Sequence, residues 1–185
     1  MLLLLTAPPL AAEPRWGATL AAGEGVAGQR HDSYRLSLQR HWNRSFWQTR
    51  RFHFNLFWDT GVTLLDARDV LRGPADTGAE QLWILGTSPV LRWQFQALGQ
   101  STITPFLEAG VGLAVLSDDK LRSGNNRALR LGTRWQFEDR VAIGIRFGRQ
   151  QRWELAWRLM HHSNLNAADD NAGLDSQLVS IGRRF

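Results

Sequence analysis

The chain has no cysteine, one lysine (Lys120), one tyrosine (Tyr34), and no long apolar run in its 185 residues. Each scarcity excludes something. Without cysteine there is neither a disulfide nor a thiolate metal site. Without about 20 consecutive apolar residues there is no transmembrane helix. A membrane remains open, because a transmembrane strand needs only about ten residues, half of them apolar. The mean hydropathy of −0.30 is compatible with that. With lysine so scarce, arginine carries the net charge of +5. The arginines are scattered rather than clustered, which argues against nucleic acid and for an anionic lipid surface, and the guanidinium fork suits buried ion pairs. Against the single tyrosine stand nine Trp and nine Phe. Such a load fills a core in a soluble domain, or forms belts at the two interfaces of a membrane barrel.

Residues 1–12 read as a trimmed signal peptide. They carry a short apolar run and small residues at Ala11 and Ala12, without the usual positive start. Residues 13–185 are then expected to form a single domain.

From Trp16 onward the pattern is alternation with period 2. One face carries Tyr34, Leu36, Leu38 and Trp42 in segment 34–42, and Phe52, Phe54, Leu56, Trp58, Val62 and Leu64 in 52–64. It continues with Trp83 to Phe95 in 81–95, Ile103 to Val115 in 103–115, and Leu129, Leu131, Trp135, Phe137, Val141, Ile143, Ile145 and Phe147 in 129–147. Trp153, Leu155, Trp157 and Leu159 begin segment 153–163, and the last segment gives Val179, Ile181 and Phe185. With a glycine-rich strand at 16–26 this makes eight strands. The opposite face mixes glycine with charges of both signs, among them Arg35, Asp59, Arg92, Glu108, Arg134, Glu138, Arg140, Glu154 and Arg158. Bulky apolar residues on one face and paired charges with small residues on the other describe an all-β, eight-stranded antiparallel transmembrane β-barrel, its narrow lumen filled by ion pairs. A soluble lipocalin-like barrel would turn the glycine- and charge-rich face to water, where it makes poor surface. Connections alternate between tight (43–45, 96–101, 148–151) and longer (66–80, 116–128, 165–172), as short periplasmic turns and external loops do. The terminal aromatic Phe185 is in phase with the last strand and resembles an outer-membrane sorting signal, so the expected location is the bacterial outer membrane.

At the end of the seventh strand stands Met160-His161-His162-Ser163-Asn164. Residues i and i+2 of a strand share a face, so His161 and Ser163 lie together, roughly 6.5–7 Å apart along the backbone. Both are in phase with the apolar face. Asp175 is in phase with Val179 and Ile181 on the neighbouring eighth strand, so a serine, a histidine and a carboxylate converge on the outer surface. Polar groups facing lipid are costly and usually functional. The natural assignment is Ser163 as nucleophile, His161 as base and Asp175 as the group that orients the imidazole. Asp175 stands ten residues before Phe185. That is about 33 Å along a strand, or about 25 Å of height at barrel tilt, which brings the trio to the outer-leaflet interface.

The set His161-x-Ser163-Asn164, then Asn171-x-Gly173 and an acid at 175, resembles the PagL family of lipid A 3-O-deacylases. Ser45-Phe46-Trp47-Gln48-Thr49, Pro105-Phe106-Leu107-Glu108-Ala109-Gly110 and Phe137-Glu138-Asp139-Arg140 extend the resemblance over nearly all of 13–185. It implies an outer-membrane serine esterase that hydrolyses the 3-O-linked acyl ester of lipid A and releases a 3-hydroxy fatty acid, without cofactor or metal. The implied partners are lipopolysaccharide and outer-membrane lipids, with a homodimer left open and no nucleic acid. The family's serine and histidine match Ser163 and His161. Its acid is typically glutamate, where this chain has Asp175, one methylene shorter. Asn164, Asn171 and Gly173 match positions that support the loop or an oxyanion, and Asn166 stands where the pattern has a small residue. Two other readings of the same residues are a non-catalytic structural or adhesive barrel and an outer-membrane acyltransferase.

The remaining polar residues get blander expectations. His162 faces the lumen as a structural residue, and Glu138 with Arg140 forms a lumen ion pair. Asp139 interrupts the apolar face and is expected to mark a bulge. Asp169 and Asp170 are solvated. Arg68, Arg72, Lys120, Arg122 and Arg127 sit in or beside external loops, as surface charge or phosphate contacts.

Overall fold

Alternation sustained over ten or more residues yields a strand with two unlike faces. The computed structural model describes residues 15–68, 78–96, 102–123 and 127–185. The segment expected as a signal peptide, 1–12, and Arg72 lie outside them. In chain order the strands are β1 (Trp16–Gly25), β2 (His31–Gln48), β3 (Phe52–Ala67), β4 (Gln81–Phe95), β5 (Thr104–Leu116), β6 (Lys120–Ser123), β7 (Arg127–Arg130), β8 (Trp135–Phe147), β9 (Trp153–Ser163) and β10 (Leu174–Arg184). All but β6 and β7 form one closed antiparallel barrel in which β1 closes on β10. β6 and β7 pair as a hairpin within the β5–β8 connection. Closure leaves no free sheet edge, as a lipid environment demands.

The two faces have the expected contents. Leu20, Val111, Val179 and Ile143 are exposed on the outer surface, while Arg92, Glu108, Glu138 and Arg158 are buried in the lumen. Buried charge is tolerable only when paired, and here it is. Arg35 binds Asp59 at 3.0 Å and Glu138 at 3.2 Å, Arg140 binds Asp59 at 2.7 Å, and Arg158 binds Glu108 at 2.9 Å. Glu138 and Arg140 are thus both lumenal, but each takes its salt bridge from another strand rather than from the other. Near the longer connections the lumen closes with an apolar layer that includes Leu65, Leu82, Ile84, Leu116, Leu121, Leu131 and Leu174. At the opposite end Phe52, Phe54, Trp93 and Phe95 form an aromatic cluster with ring centroids 4.9–5.9 Å apart, an interfacial belt.

Several further expectations are corrected. Segment 129–147 is not one strand: it breaks between β7 and β8, where Gly132 takes φ +76°. A side chain at Gly132 would begin 2.0 Å from the Asp170 carbonyl, so the break is sterically tied to glycine. Leu129 and Leu131, both expected on the outer face, instead pack into the apolar layer, Leu129 partly and Leu131 fully buried, while Trp135 beyond the break is exposed. Arg134, expected in the lumen, is exposed in the same break. The tight turn expected at 43–45 lies at 49–51, because β2 runs on to Gln48 through register shifts between His41, Ser45 and Trp47. Asp139 marks no bulge, since β8 pairs in unbroken register with β5 and β9 around it.

Candidate active site

β9 and β10 meet at the end of the barrel that carries the longer connections. Register places Asp175 directly across from His161. Directly opposed residues have Cβ atoms about 4.5–5.5 Å apart, within reach of even a short carboxylate. His161 Nδ1 lies 2.7 Å from Asp175 Oδ1. When Nδ1–H donates to the carboxylate, Nε2 is left as an acceptor, which is the tautomer a general base requires. Both side chains are part-exposed, the histidine at 43% and the aspartate at 33%.

Ser163 is the last residue of β9 and lies across from Phe137 of β8. It shares the parity of His161 but is only 6% exposed. Among the described residues the His161 ring is hydrogen-bonded to Asp175 and not to Ser163. Such a contact commonly tightens only when substrate is bound. The structure thus brings histidine and acid together, with the serine two residues along the same strand.

The chain beyond Ser163 is tied back firmly. Asn164 N–H donates to Asn171 Oδ1 at 3.1 Å, and Asn164 Nδ2 donates to the carbonyls of Leu131 and Asp170 at 2.9 and 2.8 Å. Asn171 Nδ2 donates to Asn166 Oδ1 at 2.9 Å. The backbone N–H and both amide N–H groups of Asn164 are thus committed to the loop, whereas Asn171 Nδ2 has one such bond. Leu165 and Asn166 both adopt positive φ, 53° and 62°, a conformation that asparagine tolerates better than leucine. Gly173 also has positive φ, and a Cβ on it would lie 3.1 Å from His161 Cε1. Glycine there lets the backbone lie against the imidazole.

The register brings forward one further neighbour. Asp139 of β8 pairs with His161 from the side opposite Asp175, so His161 has an aspartate at its register position on each neighbouring strand. The available signal was its odd-numbered parity with Phe137 and Val141. His162 is buried in the lumen with Nε2 3.4 Å from Glu138 Oε2, as expected of a structural histidine. The loop-side arginines are largely occupied: Arg68 bridges Glu24 and Asp32, and Arg122 binds Glu80 at 2.7 Å. The two Arg68 partners hold its guanidinium above the usual arginine range. Asp170 is exposed, with a loose contact to Arg130 at 3.9 Å. Among the described residues no group of three or more His, Asp or Glu side chains is arranged to hold a metal ion.

On the outer surface, a groove of about 350 Å³ lined by Ala22, Glu24, Arg68, Trp157, Gln177 and Val179 begins at the next outward position below Asp175. It adjoins a larger apolar groove of about 580 Å³ lined by Leu20, Tyr34, Leu36, Val62, Val179 and Ile181 among others.

Comparison with known proteins is consistent with this geometry. The family model described as lipid A 3-O-deacylase (PagL) matches residues 32–184. The lipid A deacylase PagL of Pseudomonas aeruginosa is 31% identical over 159 residues, covering 86% of this chain and 82% of the relative. A crystal structure of the outer membrane enzyme PagL superposes with a TM-score of 0.75 at 28% identity, covering 91% of this chain and 99% of that one. Neisserial surface protein A shares the fold alone, with a TM-score of 0.51 at 14% identity over 92% of this chain and 94% of its own. A match of this extent on the same eight-stranded barrel means that the chain belongs to the lipid A 3-O-deacylase (PagL) family.

Proposed function

We propose that the chain is a serine esterase of the outer membrane that hydrolyses the 3-O-linked acyl ester of lipid A and releases a 3-hydroxy fatty acid. The observation that carries this reading is the 2.7 Å bond between His161 Nδ1 and Asp175 Oδ1 on the outward face, with Ser163 at i+2 from the histidine. Ser163 Oγ attacks the ester carbonyl while its proton passes to His161 Nε2. Asp175 holds the ring and stabilises the imidazolium that forms. The tetrahedral intermediate collapses with cleavage of the bond to the sugar oxygen, which takes the proton from His161. Water, deprotonated by the same imidazole, then hydrolyses the acyl-serine, releasing the fatty acid and restoring Ser163.

The intermediate's oxyanion needs preorganised donors. Asn164 spends its donors on the loop, so its part is to fix the turn after Ser163, while Asn171 Nδ2 gives one N–H to Asn166 and keeps a second. Within that turn the N–H groups of Leu165 and Asn166 make no hydrogen bond among the described residues. They are the donors nearest in sequence to the nucleophile. The apolar groove below Asp175 offers a bed for an acyl chain that stays in the membrane.

The test is mass spectrometry of lipid A incubated with the folded barrel and with Ser163→Ala. The expected result is loss of one hydroxyacyl mass with the first only, and a rate at least about 10³-fold lower for the variant. Unchanged lipid A with a well-folded barrel overturns the reading.

A further inference from the structure

We infer that Gln29, in the β1–β2 turn, is a positioning residue that acts on His161 through Asp175. This rests on the esterase reading above. The ladder between β1 and β10 ends at Gly25↔Ser176. Asp175 therefore stands one residue beyond the strand pairing that closes the barrel. A backbone N–H needs a partner, and Gln29 supplies it: Asp175 N–H donates to Gln29 Oε1 at 2.9 Å. The same amide spans two residues, because Gln29 Nε2 donates to the Gly173 carbonyl at 3.3 Å.

Gln29 is itself fixed. Its N–H donates to the Val26 carbonyl at 3.1 Å across a turn whose central residues Ala27 and Gly28 have φ 55° and 83°. Such a primed turn is the tight connection suited to a hairpin. Val26 N–H donates to the Asp175 carbonyl at 3.2 Å, and His31 Nε2 lies 2.9 Å from Ser176 Oγ. Residues 173–175 are thus held on one side by pairing with His161 and His162, and on the other by the β1–β2 turn.

The clamp matters because the acid is short. Aspartate has one rotatable bond fewer than glutamate, so a backbone error passes almost undiminished to the carboxylate. Gly173, which rests against the imidazole, is held by the same amide. Gln29 therefore sets both the reach of Asp175 and the backbone beside the ring.

The test uses the full barrel refolded in detergent, with its heat-dependent gel mobility as the check on folding. In Gln29→Ala, kcat for lipid A deacylation is expected to fall about tenfold with KM changed less than about twofold, since misplacement of a catalytic group costs turnover rather than binding. In an Asp175→Asn background the same substitution is expected to cost less than about twofold, because the residue through which it acts is already disabled. Gln29→Leu keeps the bulk and loses both hydrogen bonds, and is expected to match Gln29→Ala. Independently of turnover, hydrogen exchange at the Asp175 amide is expected to quicken at least about tenfold in Gln29→Ala. An equal loss in both backgrounds, full activity in Gln29→Leu, or an unchanged Asp175 amide overturns the inference. If the unaltered barrel shows no Ser163-dependent hydrolysis, the esterase reading falls, while amide exchange still decides whether Gln29 holds Asp175.

Discussion

Arg92 offers the sharpest test of the lumen. It is 1% exposed and stands between two carboxylates, with Nε 2.8 Å from Glu108 and Nη1 and Nη2 at 2.6 and 2.7 Å from Glu154. Its guanidinium also lies over Phe57 and Phe106, 5.0 and 4.2 Å from the ring centroids. In Arg92→Met the volume is nearly kept and the charge is lost. Glu108 retains Arg158 at 2.9 Å, whereas Glu154 is left facing Arg146 Nε at 3.6 Å. Breaking a buried pair from one side costs about 3–5 kcal/mol, and the two ring contacts add about 1 kcal/mol. Because Glu108 keeps a close partner, the lower half of the first range applies, and the expected loss is about 4–5 kcal/mol. Glu154→Gln removes the orphaned charge, so in the Arg92→Met background it should cost about 2 kcal/mol less than it costs alone. The assay is urea unfolding of the barrel in lipid vesicles, followed by tryptophan fluorescence and gel mobility. If the two single losses add to within about 0.5 kcal/mol, the side chains are not coupled and the account of a lumen held by ion pairs is wrong.

Two further outcomes concern the proposed site and the outer face. Gly173→Ala puts a Cβ 3.1 Å from His161 Cε1 at a residue with φ +65°; kcat should fall about 10²-fold by displacement of the ring while the unfolding midpoint moves little, and equal kcat refutes the close approach. Ile143→Arg places a charge near mid-height on the exposed outer face of β8; it should cost about 2–4 kcal/mol in vesicles, and an unchanged midpoint would mean that this face does not meet lipid.

The barrel was legible because alternation over ten or more residues has a single stable outcome once bulky apolar residues hold one face and opposite charges the other. The same parity put His161 and Asp175 on the outer face, and pairing between consecutive strands brought them together. What escaped was decided off the strand ladders. Leu129 and Leu131 share the odd parity of outward Trp135, yet Gly132 breaks the strand before β8, and both leucines pack inward against the apolar layer. Asp139 reads as a fault in β8 because a carboxylate interrupts an apolar face; the register is continuous, and the residue is simply a carboxylate on the lipid side. Gln29 carried no signal at all, because its partners, Gly173 and Asp175, stand more than 140 residues away. Their meeting depends on the closure of β1 on β10, which local pattern does not contain.

The alternation that builds the wall also explains how a polar site can face lipid without a cavity to shelter it. Glu138 and Asp139 are sequence neighbours, as are His161 and His162, and in each pair one side chain points inward and the other outward. The inward members are buried beside each other, Glu138 within reach of His162 and ion-paired to Arg35 of β2. The outward members, Asp139 and His161, are paired in register. Strands that carry the outward residues are therefore stapled from behind by charges that cannot separate without exposing one another to an apolar interior. A reactive constellation works best on rigid elements whose rotamers are fixed by surrounding contacts. Here that support is the lumen network beneath β8 and β9, together with the loop bonds of Asn164 and Asn171 above. The lumen then need not conduct anything: its packed charges hold the outer face of β8, β9 and β10 still.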